Sequence, residues 1–266
     1  SGFDGKVAIL GIDGKGEYAT TFFGYGEHGR IHKIKEFYDP DSLGQVYASF
    51  TEYLGFEMLD GEYKVMGMAP YGRATFVDKV WKVVRLEQDG TFWLDPQYFS
   101  FHYSTSRSYT SKFVDLFGAP RDPNIPFFTK TSGYPSYYGP QPSNMEELYR
   151  YNQHYADLAA SIQVVTEEIV LGLAWELHRQ TGQKRLCLAG GVALNSVANR
   201  RIIQETPFEE LYIQPSAGDG GGALGAAMVA WHCALGNQER FVMDHAYWGQ
   251  AYDTDEIQGA LERNGA

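Results

Sequence analysis

Positive charge is scarce in this sequence. Its 266 residues carry 22 Lys and Arg against 33 Asp and Glu, a formal net charge of −11 with histidine neutral. A dedicated nucleic-acid binder shows a basic footprint, and an anionic membrane surface would repel such a chain, so neither is expected as a partner. Cysteine is scarcer still. Cys187 and Cys233 are the only two, read as buried reduced thiols and not as a disulfide. No run of about 18 apolar residues stands out as a membrane span. The first residues lack the basic-then-apolar pattern of a secretory signal, and a cytoplasmic location is the expectation. Neither a Walker A loop nor a GxGxxG dinucleotide fingerprint is present, which disfavours P-loop and Rossmann folds. Set against these absences are 30 glycines, a 44% apolar share and 19 tyrosines. That composition excludes global disorder and suffices for one large domain or two modest ones.

The chain opens on a buried strand over Lys6–Gly14, almost at residue 1, a start that suits either a mature domain or a fragment. Two more strands over 17–25 and 30–37 make a β-meander with Gly-rich turns. Asp41 or Ser42 caps a helix over 43–54. A short helix near 75–85 and a strand near 91–95 follow. Residues 98–145 are rich in Tyr, Phe, Ser and Pro without a sustained period. They read as a long irregular excursion, either a packed arm or a surface for substrate or partner. Asn144 caps a helix to about 180, whose Leu158, Ile162, Val165, Ile169 and Leu173 form a core-facing stripe ended by Gly182. From there the pattern is strand (185–189), glycine turn, helix (193–204), strand (210–213), glycine loop, helix (223–235). Such alternation places parallel strands in an α/β layer. A last amphipathic helix lies near 253–263.

Three glycine turns each follow a short apolar strand: Asp13, Gly14 and Gly16; Gly190 and Gly191; Gly218–Gly222, with Asp219, Gly220 and Gly221 inside it. Missing side chains let backbone amides approach phosphate oxygens, and a helix N-terminus behind the turn adds favourable charge. Three such turns in one domain point to a nucleotide. Asp13 and Asp219, at strand ends, suit a divalent metal or ribose hydroxyls, or else simple turn formation. Asn195 could bond a ribose or base, or merely begin a helix. Lys64 lies in a Gly-flanked apolar segment, where an ammonium needs an anion: a phosphate, or Glu57 or Glu62 in a salt bridge. His28 and His32 are spaced HxxxH, but on a strand they lie about 13 Å apart, too far to share a metal.

Five segments resemble one family: Gly61–Gly72 (GEYKVMGMAPYG), Leu188–Asn199 (LAGGVALNSVAN), Gln214–Ala227 (QPSAGDGGGALGAA), Asp13–Thr21 (DGKGEYATT) and Asp41–Phe56 (DSLGQVYASFTEYLGF). They are similar to the motifs of the O-carbamoyltransferases, which include the nodulation-factor, cephamycin and tobramycin enzymes. The similarity runs over nearly the whole chain.

The resemblance implies an actin-like/sugar-kinase ATPase fold of the ribonuclease-H-like α/β class, incomplete here and carrying the irregular Tyr-rich insertion at 98–145. It implies an actin-like carbamoyltransferase domain over 1–245 that lacks its N-terminal part. Residues 246–266 then enter a C-terminal adenylate-forming domain. The implied activity is ATP-dependent transfer of a carbamoyl group from carbamoyl phosphate, via carbamoyl-adenylate, to a hydroxyl of a small molecule. By position, Asp219 matches the metal-binding aspartate of an Fe²⁺-type site. Gly190, Gly191 and Asn195 match the nucleoside-binding segment. Asp13, Gly14 and Gly16 match the first glycine turn, and Lys64 falls in the Lys-Val-Met-Gly segment as an anion or transition-state stabiliser. The family's His-x-x-x-His metal pair should lie upstream of this chain, and His28 and His32 do not replace it. The partners implied are therefore the missing N- and C-terminal segments, and the piece alone is not expected to turn over. Two other readings compete: a non-catalytic nucleotide-binding scaffold, and a small-molecule kinase of the same fold.

Overall fold

In the computed structural model, which describes residues 1–265, the opening apolar run forms strand β1 (Val7–Ile12). It is followed antiparallel by β2 (Ala19–Glu27) and β3 (Arg30–Tyr38). Helix α1 (Leu43–Tyr53) comes next. Its start combines two jobs in one hydroxyl. Ser42 Oγ accepts the Gln45 amide at 3.1 Å, as an N-cap does, and donates to the Gly14 carbonyl at 2.5 Å. Ser42 is fully buried, so alanine there is expected to cost about 2 kcal/mol, the upper end for a lost cap. Urea unfolding would measure it, and a loss below about 0.5 kcal/mol would show that the hydroxyl does not join turn to helix.

Helix α2 (Glu62–Met68) and the short α3 (Val77–Val80) lead to a two-stranded hairpin of β4 (Val84–Leu86) and β5 (Phe92–Leu94). The expected helix to 85 is thus cut short. Val84 is claimed by its partner strand, because Val84 and Leu94 are buried opposite each other. The 98–145 stretch is irregular apart from α4 (Ser111–Phe117) and a short 3₁₀ turn at Ser136–Tyr138; its first part packs as an arm, whereas residues 130–144 bury no side chain. Phe99, Tyr109, Phe113 and Phe117 are buried in the core, and Phe113 and Phe117 set their ring edges against Phe50 and Tyr53 of α1.

Helix α5 (Met145–Thr181) buries all five residues of its predicted stripe and ends at Gly182 in the left-handed conformation. Asn144 precedes it without a side-chain cap bond. By length and average hydropathy α5 would suffice to cross a membrane, although it is interrupted by polar residues such as Gln163 and Glu167. However, 78% of its apolar window is buried inside the fold, as in a core helix. His154, on α5, has its Nε2 3.2 Å from the Phe117 carbonyl, and burial lowers its pKa below the usual value near 6.5. Because the unfolded chain then binds the proton more readily, the stability tied to the neutral ring is complete above pH 6.5. It is lost as pH falls from there through the lower folded-state pKa. The expected result is a lower urea midpoint at pH 5 than at pH 7.5, with the difference reduced in His154→Gln. An unchanged difference would reject this assignment.

Strand β6 (Arg185–Ala189), helix α6 (Ser196–Glu205), strand β7 (Glu210–Ile213) and helix α7 (Gly222–Val229) complete the alternation. The five-stranded sheet has the order β3-β2-β1-β6-β7. β1, β6 and β7 run parallel, and β2 and β3 supply the antiparallel wing. Ala8, Leu10 and Ile12 of β1, Phe23 of β2 and Leu186 and Leu188 of β6 share one core with the α5 stripe. Cys187 is half-buried and Cys233 exposed, which corrects the expectation of two buried thiols. Burial at position 233 failed because α7 and the turn after it bury no residue. All of this belongs to one unit, residues 3–238. A second unit combines Ser1 and Gly2 with the segment from Glu239 onward. Its helix α8 (Thr254–Arg263) starts on a reciprocal capping box between Asp253 and Glu256.

Candidate functional site

The three glycine turns lie at the carboxyl ends of the parallel strands β1, β6 and β7, where open α/β sheets place their ligand sites. Two bonds draw them together. Asp13 Oδ1 accepts the amides of Gly14 (2.7 Å) and Gly191 (3.2 Å), joining the first turn to the second. The Gly190 amide donates to the Ala217 carbonyl at 2.8 Å, joining the second to the third. Glycine is required for this approach. A Cβ on Gly190 would stand 2.1 Å from the Ile12 carbonyl oxygen, and one on Gly221 would stand 2.1 Å from that of Ser216.

The amides do not all face outward, as the sequence suggests. Those of Gly14 and Gly191 converge on the Asp13 carboxylate. Those of Gly16, Gly190 and Gly221 go to the carbonyls of Ala19, Ala217 and Gly218. The nest between the first two turns is a two-donor anion site, and the carboxylate of Asp13 fills it. Gly220 packs against Ser216, whose Oγ lies 2.9 Å from where its Cβ would be. Asp219 is exposed at the head of the 3₁₀ turn Asp219–Gly221 that leads into α7.

Asn195 begins α6. Its Oδ1 caps the Ala198 amide at 3.1 Å, and its amide forms a two-way pair with Gln163 of α5 at 3.0 and 3.1 Å. Gln163 also accepts the Tyr47 hydroxyl of α1 and donates to Glu167 Oε1. Glu167 in turn meets Arg201 of α6 at 3.1 Å. Burial holds the Tyr47 phenol neutral, its pKa far above the usual range. This chain of buried polar groups fixes α6, and so the second glycine turn, against α1 and α5. Sequence reasoning missed Tyr47, Gln163 and Glu167. The available signal was a pair of polar residues, Gln163 and Glu167, interrupting the apolar stripe of α5 one helical turn apart.

Lys64 stands outside this cluster. It is exposed on α2, whose inward positions are Val65 and Met68, so the desolvation argument for an anion partner does not hold there. Its ammonium lies 5.9 Å from the Phe56 ring centre and 5.5 Å from that of Tyr63. Among the described residues it makes no ion pair with Glu57 or Glu62. Nor do three His, Cys, Asp or Glu side chains gather closely enough among the described residues to chelate a metal. Asp219 alone does not fit an Fe²⁺ site.

The family model described as the carbamoyltransferase N-terminus matches residues 1–228. The chain is 42% identical to an uncharacterized protein of Synechocystis sp. over 270 residues, 98% of this chain and 39% of that protein. It is 31% identical to nodulation protein NolNO of Sinorhizobium fredii, covering 96% of this chain and 32% of that one. It is also 31% identical to nodulation protein NolO of Bradyrhizobium diazoefficiens, covering 94% and 39%. The chain thus spans under two fifths of the length of these curated relatives. The family match takes in β1 to α7 with all three glycine turns, and on it the chain belongs to the O-carbamoyltransferase family.

Proposed function

We propose that this chain is the acyl-transfer part of an ATP-dependent O-carbamoyltransferase, built on an actin-like, ribonuclease-H-like sheet. In the overall reaction, carbamoyl phosphate, ATP and one water yield a carbamoyl-adenylate, pyrophosphate and phosphate, the water releasing phosphate to leave a carbamate oxygen that displaces pyrophosphate from ATP. A substrate hydroxyl then takes the carbamoyl group, losing its proton, and AMP leaves. ATP supplies the activation that makes the carbamoyl carbon reactive. The meander joined to helix-linked parallel strands supports the fold reading. The observation that carries the function is the meeting of three glycine turns at the carboxyl ends of β1, β6 and β7, tied by Asp13.

In this reading a phosphate or ribose sits beside Asp13, and the Asn195–Gln163 pair keeps the second turn rigid. Gly220 and Asp219 open α7, whose N-terminal amides favour negative charge. Lys64, exposed and without a carboxylate partner among the described residues, is available to a developing anion. No step is assigned to a metal, since Asp219 lacks fellow ligands among the described residues.

The test is product analysis with the full-length protein, labelled carbamoyl phosphate, ATP and a panel of hydroxylated acceptors. Label on acceptor oxygen, with AMP and pyrophosphate released, is the expected result. Transfer of the γ-phosphate would instead establish a kinase. Nucleotide binding without any transfer would establish a scaffold.

A further inference from the structure

The hairpin of β4 and β5 carries a cleft that the glycine turns do not use. It encloses about 500 Å³, stands half open, and is lined by Trp81, Trp93 and Tyr98 together with Lys82, Arg85 and Asp95. Arg85 and Trp93 lie directly opposite each other in the register, and both are exposed on the outer face of the hairpin. Trp93 leaves 53% of its surface in water. Among the described residues, no aromatic ring stacks on Trp81 or Trp93, and neither Lys82 nor Arg85 has an acidic partner. In a chain of net charge −11, two cations with no ion-pair partner among the described residues beside the exposed indole of Trp93, with Trp81 half-buried against the core behind them, form a local exception. The shelf is held firmly from behind. The Leu94 amide donates to Asp41 Oδ1 at 2.8 Å, the Asp95 amide to the Val83 carbonyl at 3.0 Å, and Lys35 to Thr91 at 2.7 Å.

We propose that this cleft binds an anionic saccharide. The chemistry of each wall selects that class. An exposed indole on an open shelf offers one face, which suits the C–H face of a puckered sugar ring; a planar base or aromatic acid gains most in a slot between two rings. The Arg85 guanidinium presents a fork that matches a carboxylate, and Lys82 adds a second charge near it. Asp95 offers carboxylate oxygens to sugar hydroxyls. The site is independent of nucleotide and needs no turnover.

Calorimetric titration of the protein with trigalacturonate, without nucleotide, tests it, with neutral maltotriose as the comparison. Saturable binding of trigalacturonate is expected, at least ~10-fold tighter than maltotriose and weakening as NaCl is raised. Trp93→Ala and Arg85→Gln should each weaken it by ~10-fold, with unchanged circular dichroism, since both side chains are exposed. Absence of saturable binding overturns the proposal. So does equal affinity for maltotriose, or undiminished binding by Arg85→Gln, which carries the test alone if the tryptophan variant misfolds. Because no carbamoyl transfer is read, a failure here leaves the function proposed above standing, and the reverse holds equally.

Discussion

Alanine at Gly190 is expected to lower the unfolding free energy by roughly 4 kcal/mol, enough to unfold a domain of ordinary marginal stability on mild warming. Two costs add. The residue sits at φ 91°, ψ 158°, a region that is essentially glycine's alone. A Cβ there would also lie 2.1 Å from the Ile12 carbonyl oxygen and 2.8 Å from the Ile12 nitrogen, both rigid backbone in the central strand. Neither can yield without parting β1 from β6, since Ala8–Gly11 pairs with Leu186–Ala189 just before the turn. Gly67→Ala supplies the control. Gly67 lies inside α2 with open space around its Cα and an ordinary φ, so alanine should add up to about 1 kcal/mol through helix propensity. Urea unfolding of both variants reads the contrast. Similar effects at the two positions would mean that the second turn is not held against the first strand.

That turn was legible in the sequence because its cause is local. A strand ending in two glycines needs no knowledge of distant residues, and the same holds for the meander, the α5 stripe and the last amphipathic helix. What escaped depended on tertiary partners. Whether Lys64 is buried turns on which face α2 presents, and Val65 and Met68 take the inner one. Residues 84–86 left the expected helix because 92–94 offered a strand to pair with. Of the two roles open to Asn195, beginning a helix is the one seen, but the residue that occupies its side-chain amide, Gln163, lies 32 positions away and could not be read. The convergence of the turns is likewise nonlocal, and the bonds through Asp13 and Ala217 establish it.

Asp13→Asn separates the structural part of that convergence from its chemistry. The asparagine oxygen still accepts from Gly14 and Gly191, now through neutral bonds in place of charge-assisted ones, so stability should fall by only about 1–2 kcal/mol. The negative charge at the strand end is gone, however. If that carboxylate takes part in transfer, by holding a ribose, a cation or the acceptor proton, kcat/KM for carbamoyl transfer by the full-length protein should drop by about 100-fold, the scale of one lost polar contact to a transition state. Asp13→Ala forms the counterpart. It also removes the acceptor for two amides, so stability should fall further, by about 2–4 kcal/mol. It also empties the two-donor nest that the carboxylate fills. Comparing the pair reads the two roles apart: charge alone in the first, charge plus the tie between turns in the second. Full activity in Asp13→Asn with a stability loss in Asp13→Ala would reduce Asp13 to a clasp between glycine turns, and the reacting groups would then lie nearer Asp219 and the N-terminus of α7.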